Sequence, residues 1–237
     1  MRNYPYTPEL ATQAAAAIAC LRDIAQQHAP AAFANSFGVE DMVLMHMIAS
    51  ENLPITVFSL DTGRSPEETY AVMTQVRDLY PNAPVEVYYP QTDTAQNWVR
   101  ENGVNAFYQS VELRKACCGF RKVEPLQRAL KGKTAWITGQ RRAQAVTRAD
   151  LPLQEWDGGN NLHKFNPLTA WSEADVWAYV QHHQVPTNAL HAKNYPSIGC
   201  APCTRSIAMG EDIRAGRWWW EDQSKKECGL HKHALPH

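Results

Sequence analysis

The feature that most constrains the fold is an alternation of short β-branched or aromatic runs with longer stretches of helical apolar spacing. The runs that we predict as strands cover residues 31–35, 55–60, 85–89 and 135–138. Helices are predicted from Thr7-Pro8 to about residue 28, over residues 41–50, and from Ser65-Pro66 onward, since proline suits the first helical position. Strands that alternate with helices predict an α/β fold: a mainly parallel, twisted sheet flanked by helices on both faces.

Three loops that follow predicted strands are rich in small and polar residues. They comprise residues 36–38, 59–63 and 139–142. Ligands of parallel sheets bind beyond the carboxyl ends of the strands, so these loops can line one crevice. Together they predict a concave nucleotide site.

The pattern changes after about residue 160. A helix over residues 172–183 begins with a capping box, in which Ser172 is followed by Asp175. Beyond Val185 the chain is rich in Pro, Gly, Cys and Trp and has little periodicity. We therefore expect a nucleotide-binding domain over residues 1–184 and an extension over residues 185–237 that packs on it. The tryptophan run at 218–220 is expected to anchor this extension.

Composition narrows the class of protein. Apolar residues make up 44% and charged residues 20% of the chain, which is ordinary for a globular protein. No apolar run is long enough for a membrane span, and the first residues lack the basic and apolar regions of a secretion signal. We expect a cytoplasmic location and no membrane partner. The six cysteines then indicate metal binding or catalysis more than disulfides.

Charge is distributed unevenly, although the net charge is only −1. Residues 1–113 contain five Arg or Lys against thirteen Asp or Glu, whereas residues 114–148 contain ten Arg or Lys and one acid, Glu124. Such a basic block is typical of either a solvated face or a site for a polyanion.

Four cysteines form two close pairs, Cys117-Cys118 and Cys200-x-x-Cys203. Two thiolates at the second spacing can converge on one metal centre, and the other pair completes four ligands. Zinc and a [4Fe–4S] cluster both accept four thiolates. Adjacent cysteines suit the cluster better, because neighbouring thiolates can bind different irons. Cys20 lies in an Ala-rich helical pattern and is expected to be a small buried apolar residue.

Cys228 lies nine residues from the C-terminus. Lys225 and Lys226 precede it and His231 follows at i+3, so nearby positive charge favours the thiolate. This setting predicts a nucleophile. The alternative is an unreactive thiol in a frayed tail.

Several segments together resemble the assimilatory sulfonucleotide reductases, specifically the adenylylsulfate (APS) reductase branch that carries an iron–sulfur cluster. They are CCGFRK at 117–122, GCAPCTR at 199–205, GRWWWE at 216–221 and KECGLH at 226–231. The weaker SFGVED at 36–41, SLDTGR at 59–64 and GQRR at 139–142 follow the family's order. The match spans roughly residues 33 to 231, which is nearly the whole chain.

The resemblance implies an adenine-nucleotide hydrolase-like α/β fold and a two-step reaction. The Cys228 thiolate would attack the sulfur of APS, expel AMP and form an S-sulfocysteine. Thioredoxin or a similar dithiol protein would then release sulfite. The residues that match the ligands of a [4Fe–4S] cluster are Cys117, Cys118, Cys200 and Cys203.

The same resemblance implies a set of substrate-binding residues. Positions associated with the phosphosulfate are Lys122, Arg214, Arg217 and His231, and a further arginine of the pocket is Arg148. The loop near the phosphate is matched by Ser36 and Gly38, and the strand end near the nucleoside by Leu60 and Asp61. Residues 145–147 depart from the family, because they read Ala-Val-Thr where small turn residues are expected. This departure bears on Arg148 and on the choice of nucleotide.

Three other interpretations stay open. The substrate could be the 3′-phosphorylated nucleotide PAPS, or both nucleotides, although the PAPS-selective branch typically lacks the four extra cysteines. An ATP-dependent tRNA-thiolating enzyme would use the basic block for RNA, but its loop is usually richer in glycine than residues 36–41. A zinc-stapled binding protein without chemistry is the third. We expect no nucleic-acid partner, and a homo-oligomer is compatible with the sequence.

Overall fold

A computed structural model describes residues 3–145 and 148–222, so the predicted nucleophile Cys228 and His231 lie outside the described residues. Its strands are β1 (Ala31–Ala34), β2 (Thr56–Leu60), β3 (Val85–Tyr88), β4 (Ala135–Ile137), β5 (Gln154–Asp157) and β6 (Leu162–Phe165). They form one sheet in the order β3-β2-β1-β4-β6-β5. All neighbouring strands are parallel except β5 and β6, which form an antiparallel hairpin. The predicted mainly parallel α/β sheet is confirmed.

The helices are α1 (Pro8–Gln27), α2 (Val39–Ser50), α3 (Glu67–Leu79), α4 (Thr92–Asn102), α5 (Val111–Cys118), α6 (Glu124–Leu130) and α7 (Glu173–His183). The predicted starts of α1 and α7 are confirmed. Thr7 accepts a hydrogen bond from the Leu10 N–H at 3.3 Å, and Ser172 and Asp175 form the reciprocal capping box. None of the helices in the described ranges is both long and apolar enough to cross a membrane.

The central strands β1, β2 and β4 are largely buried, because their side chains alternate between two layers that are covered on both faces of the sheet. Phe33 and Ile137 pack into the layer that contains α1, α2 and α7. Ala32 and Trp136 point the other way and pack against Leu126 of α6. Helices therefore cover both faces, as the alternating sequence pattern predicts.

The strand order creates a crevice between β1 and β4. From β1 the chain moves outward to β2 and β3, and then returns to place β4 on the opposite side of β1. Loops that leave two such strands diverge to opposite faces of the sheet, which opens a ligand site at their carboxyl ends. The predicted loops at residues 36–38 and 139–142 flank this crevice.

Residues 185–222 pack against the α/β sheet domain. The Asn188 side chain donates to Thr69 Oγ1 at 3.0 Å in the interior, and the Ala201 N–H donates to the carbonyl of Arg64 at 2.8 Å. These contacts fit an extension that packs on the nucleotide-binding domain. The boundary between domain and extension at residues 184 and 185 stays a prediction.

Candidate active site

A cavity of about 350 Å³ lies at the carboxyl ends of β1, β2 and β4. Its volume is in the range of sites that bury a small ligand. The cavity wall includes eight residues that the sequence predicts for substrate binding, and these are Ser36, Gly38, Leu60, Asp61, Lys122, Arg148, Arg214 and Arg217. Residues that are dispersed along the chain thus share one cavity. Their individual roles stay predictions.

The loop after β1 is held by Asp41, which is in the first turn of α2. Asp41 Oδ2 accepts hydrogen bonds from the Ser36 N–H at 2.8 Å and the Ser36 Oγ–H at 2.5 Å. Its other oxygen accepts one from the Gly139 N–H at 3.1 Å. Burial raises the pKa of Asp41 to about 6, although these hydrogen bonds oppose the shift. Asp41 therefore fixes the loop that carries Ser36 and Gly38.

The loop after β2 is shaped by Asp61. One oxygen of this buried carboxylate accepts hydrogen bonds from the Gly63 N–H at 2.8 Å and the Tyr70 hydroxyl at 3.0 Å. Gly63 has a φ of 70°, which glycine adopts without strain. The Asp61 carboxylate thus stabilises the turn that follows Leu60.

Arg141 and Arg142 of the basic block have structural partners. Arg141 donates from Nη2 to Glu40 Oε1 at 2.7 Å, and its side chain is only 4% exposed. Arg142 donates from Nε to the carbonyl of Leu151 at 2.8 Å. These arginines hold the loop after β4, and so the basic block is neither one solvated face nor wholly a polyanion site.

Lys122 lies on a π-helical turn, Gly119–Val123, between α5 and α6. A π-turn inserts one extra residue into a helix and is frequent at functional sites. Here it continues directly from Cys117 and Cys118, and it presents Lys122 to the cavity.

Arg217 is fixed against the backbone of the C-terminal segment. Its Nη1 donates to the carbonyl of Ile198 at 3.1 Å, and its guanidinium lies 4.8 Å from the ring centroid of Trp218. A Cβ on Gly199 would lie 2.2 Å from Arg217 Nη2. Glycine at position 199 thus allows the guanidinium to occupy this place in the cavity wall.

The tryptophan run anchors the C-terminal segment, as expected. Trp218 is 1% exposed, and the guanidinium groups of Arg114 and Arg217 each lie over its ring, 4.8 Å from the centroid. Trp220 packs edge-on against Tyr108 with ring centroids 4.4 Å apart. Trp218 also lines the cavity, so the anchor forms part of the site wall.

The two cysteine pairs come together beside the cavity. Cys117 and Cys118 are buried at the end of α5, whereas Cys200 precedes and Cys203 ends a short 3₁₀ turn. Burial raises the pKa of Cys203 to about 12, and the nearby Cys200 adds to this shift. Lys122 and Arg217 act in the opposite direction. Buried thiolates here therefore require a cationic partner.

The four cysteines supply a donor set, all thiols, that an iron–sulfur cluster takes. Electrostatic interactions link Cys117 to Cys200 and Cys200 to Cys203. However, no three His, Cys, Asp or Glu side chains within residues 3–145 and 148–222 are grouped closely enough to hold one metal ion. A tetrahedral zinc needs all its thiolates to converge on one point, whereas cluster ligands bind separate irons.

Sequence reasoning missed several buried polar groups of the cavity wall, notably Asn35, Gln140 and His191. The strand-end loops drew attention to the neighbourhood of Asn35 and Gln140. Nothing in the local pattern indicates that their amide groups are buried or point into a cavity.

The description of the family model that matches this chain is "phosphoadenosine phosphosulfate reductase domain", and the match covers residues 30–206. The chain belongs to this family. Its similarity extends to proteins named adenosine 5′-phosphosulfate reductase. That of Allochromatium vinosum is 53% identical over 95% of this chain and 88% of its own length. The protein of this name from Burkholderia cepacia is 54% identical over 95% of this chain and 90% of its own length.

Solved structures agree with the fold. The phosphoadenylyl-sulfate (PAPS) reductase of Candida auris, in a phosphate complex, has a TM-score of 0.70 and 25% identity, and the match covers 87% of this chain and 100% of that chain. The FMN adenylyltransferase of Candida glabrata has a TM-score of 0.56 at 14% identity, covering 92% of this chain and 78% of that chain. This second likeness shows only a shared fold.

Proposed function

We propose that this protein is an adenylylsulfate reductase of sulfate assimilation, which reduces APS to sulfite and AMP. The observation that carries the proposal is the single cavity at the strand ends whose wall combines Lys122, Arg148, Arg214 and Arg217. A phosphosulfate is an anionic, oxygen-rich group, and a reaction at its sulfur requires cations that offset this charge. Relatives at about half identity over most of the chain have names that state this activity.

In the first step, Cys228 Sγ forms a bond to the sulfur of APS. The bond between that sulfur and the bridging phosphate oxygen breaks, and AMP leaves with the electron pair. The lysines at 225 and 226 and His231 favour the attacking thiolate. Lys122, Arg214 and Arg217 would stabilise the charge on the phosphosulfate oxygens.

In the second step, a thiolate of thioredoxin or a similar dithiol protein attacks Cys228 Sγ. The S–S bond breaks and sulfite departs with the electron pair. The second thiol of the partner then displaces Cys228, which restores the thiol and leaves the partner as a disulfide. Two electrons thus pass from the dithiol to the sulfur.

We further propose a [4Fe–4S] cluster on Cys117, Cys118, Cys200 and Cys203. The four cysteines supply the thiolate donor set, and the electrostatic interactions of Cys117 with Cys200 and of Cys200 with Cys203 support this cofactor. When bound, the cluster would supply local positive iron centres and an anionic sulfur core beside Lys122. A cytoplasmic location is proposed as well, since the five cysteines in the described ranges form no disulfide with one another.

APS is favoured over PAPS as substrate. The relatives quoted above are named for APS, and the chain has the four extra cysteines that distinguish this branch. Reduction of PAPS, or of both nucleotides, is the alternative. Sulfite release with thioredoxin and either nucleotide separates them, and faster turnover of PAPS would overturn the choice of APS.

The experiment that tests the mechanism is anaerobic incubation of the protein with APS alone, followed by intact-mass measurement. We expect a mass increase of one sulfonate, which is lost in Cys228→Ser and retained in the control Cys20→Ser. Iron content and visible absorption should be unchanged in both variants and lost in Cys203→Ser. A full sulfonate adduct in Cys228→Ser would refute the nucleophile.

A further inference from the structure

Gln140 is a buried amide that faces the cavity with both its polar atoms unpartnered. It follows β4 by three residues, is 5% exposed and lines the cavity wall. Neither Nε2 nor Oε1 has a hydrogen-bond partner among the described residues. Because a buried amide without partners is costly, such a group in a native fold requires an explanation.

The backbone around Gln140 is held rigidly, so a loose loop does not explain the missing partners. The Gln140 N–H lies 3.3 Å from Thr138 Oγ1, which itself donates to Asn166 Oδ1 at 2.6 Å. The next residue, Arg141, donates to Glu40 and to the carbonyl of Trp171. The carboxamide is therefore presented from a fixed position.

A second buried amide lies on the neighbouring strand end. Asn35 follows β1 directly, is 1% exposed and also lines the cavity. Its Oδ1 accepts the Phe37 N–H at 2.8 Å, whereas its Nδ2 has no partner within the described residues. Since β1 and β4 are adjacent, parallel strands, both amides border the crevice between them.

The charges nearby indicate what kind of group this part of the cavity accepts. Glu40 and Asp41 lie at the start of α2, in contact with Arg141 and Gly139 respectively. The Glu40 carboxylate is already paired with Arg141, and that of Asp41 accepts from two backbone N–H groups, so the two amides offer a phosphate only neutral contacts. A neutral group that both donates and accepts hydrogen bonds would give each polar atom of Gln140 a partner.

We propose that Gln140 is a substrate-recognition residue whose carboxamide hydrogen-bonds a neutral donor–acceptor group of the adenine nucleotide, with Asn35 Nδ2 as a further donor. The group is either a ribose hydroxyl or the polar edge of adenine, which have the same hydrogen-bonding chemistry. This inference rests on the proposed function and adds to it a residue that positions the uncharged part of the nucleotide.

The test is calorimetric binding of AMP to the wild type, Gln140→Leu, Gln140→Met and the exposed control Gln109→Leu. We expect AMP affinity to fall on the order of ten- to hundredfold in both position-140 variants, because a hydrogen-bonding pair is lost. The thermal midpoint without nucleotide should stay equal or rise, since an apolar side chain replaces an unsatisfied amide. A purely structural residue would instead lower the midpoint when replaced.

Two analogue arms identify the group that is bound. If a ribose hydroxyl is the partner, Gln140→Leu should no longer weaken binding of the analogue that lacks this hydroxyl, either 2′-deoxy-AMP or 3′-deoxy-AMP. For IMP, this weakening should vanish if the adenine edge is the partner. In turnover, the variant should raise KM for APS and leave the rate of Cys228 sulfonation at saturation unchanged.

The experiments distinguish a failure of the inference about Gln140 from a failure of the proposed function. If the wild type acquires the sulfonate from APS but Gln140→Leu and Gln140→Met bind AMP as tightly as it does, the inference is wrong and the proposed function stands. If the wild type neither binds AMP nor acquires the sulfonate, the proposed function itself is wrong, and the inference falls with it.

Discussion

The carboxylate of Asp41 accepts a hydrogen bond from the Gly139 N–H at 3.1 Å, and this contact joins the loops after β1 and β4. A Cβ on Gly139 would lie 2.3 Å from Asp41 Oδ1, so the close approach requires glycine. The crevice between adjacent strand ends is thus closed at its base by one side chain, which also holds Ser36.

The first prediction concerns the pH dependence of stability. Burial raises the pKa of Asp41 from 3.8 to about 6, so the folded state holds this proton more tightly than the unfolded chain. The contribution of Asp41 to the free energy of unfolding therefore falls as pH rises across this window and is level above it. In Asp41→Asn this fall should disappear. The free energy of unfolding of the wild type and of Asp41→Asn is measured by urea unfolding from pH 4 to 7. The same pH dependence in the two proteins would contradict a raised pKa of Asp41.

The second prediction concerns the ion pair of Arg114 and Glu221. Arg114 is 0% and Glu221 3% exposed at the side chain, with Nη2 and Oε2 2.7 Å apart. Glu221→Gln leaves a buried arginine without its counter-charge, and we expect a loss of about 3 kcal/mol in the free energy of unfolding. Cys228 follows Glu221 by seven residues, so its sulfonation by APS should slow as well.

The matched control for this pair is Glu101→Gln. Arg100 and Glu101 are 3.9 Å apart, with side chains 74% and 65% exposed. Such a surface pair contributes less than about 1 kcal/mol. Denaturant unfolding measures the free energy of unfolding of Glu221→Gln and Glu101→Gln. Equal losses in the two variants would show that burial does not make the Arg114–Glu221 pair more stabilising than an exposed pair.

The third prediction concerns the glycine behind Arg217. Gly199→Ala would place a Cβ 2.2 Å from Arg217 Nη2, so the guanidinium has to leave its position. Loss of one charge-assisted contact to the phosphosulfate, worth roughly 1.5–3 kcal/mol, should raise KM for APS about tenfold or more. Gly158→Ala, where a Cβ meets nothing within 4 Å, is the control for steady-state kinetics. An unchanged KM in Gly199→Ala would exclude Arg217 from substrate binding.

The fourth prediction separates the role of Lys122 from cluster assembly. Lys122 lies in the cavity wall and acts electrostatically on Cys203. Lys122→Ala should slow the sulfonation of Cys228 about 100-fold, as expected when a group that stabilises developing charge is removed. Iron content should be retained, and exposed Lys115→Ala should behave as the wild type. A normal sulfonation rate in rapid-quench mass measurements would argue against the role of Lys122.

Local patterns predicted much of the fold because they report on short-range geometry. The strand runs at 31–35 and 135–138 are apolar on both faces and bounded by breakers, so they were recognisable, and the caps at Thr7 and Ser172 act within one helical turn. The helix α4 was not predicted, because it has few apolar residues and none of its side chains is buried. The hairpin of β5 and β6 was missed because both strands have only four residues, β5 is largely exposed, and β6 includes the polar residues His163 and Lys164.

The sequence by itself determined the fold class, the strand-end loops, the two cysteine pairs and the candidate cations, since each depends on residue type and local spacing. Only the tertiary structure decided which polar groups are paired. It placed Arg141 on Glu40, Asp41 on Gly139 and Arg114 on Glu221, across about a hundred residues of chain in each case. It also left Gln140 facing the cavity without a partner among the described residues. The physical reason is that hydrogen bonding and burial depend on distances between elements, which local periodicity does not contain.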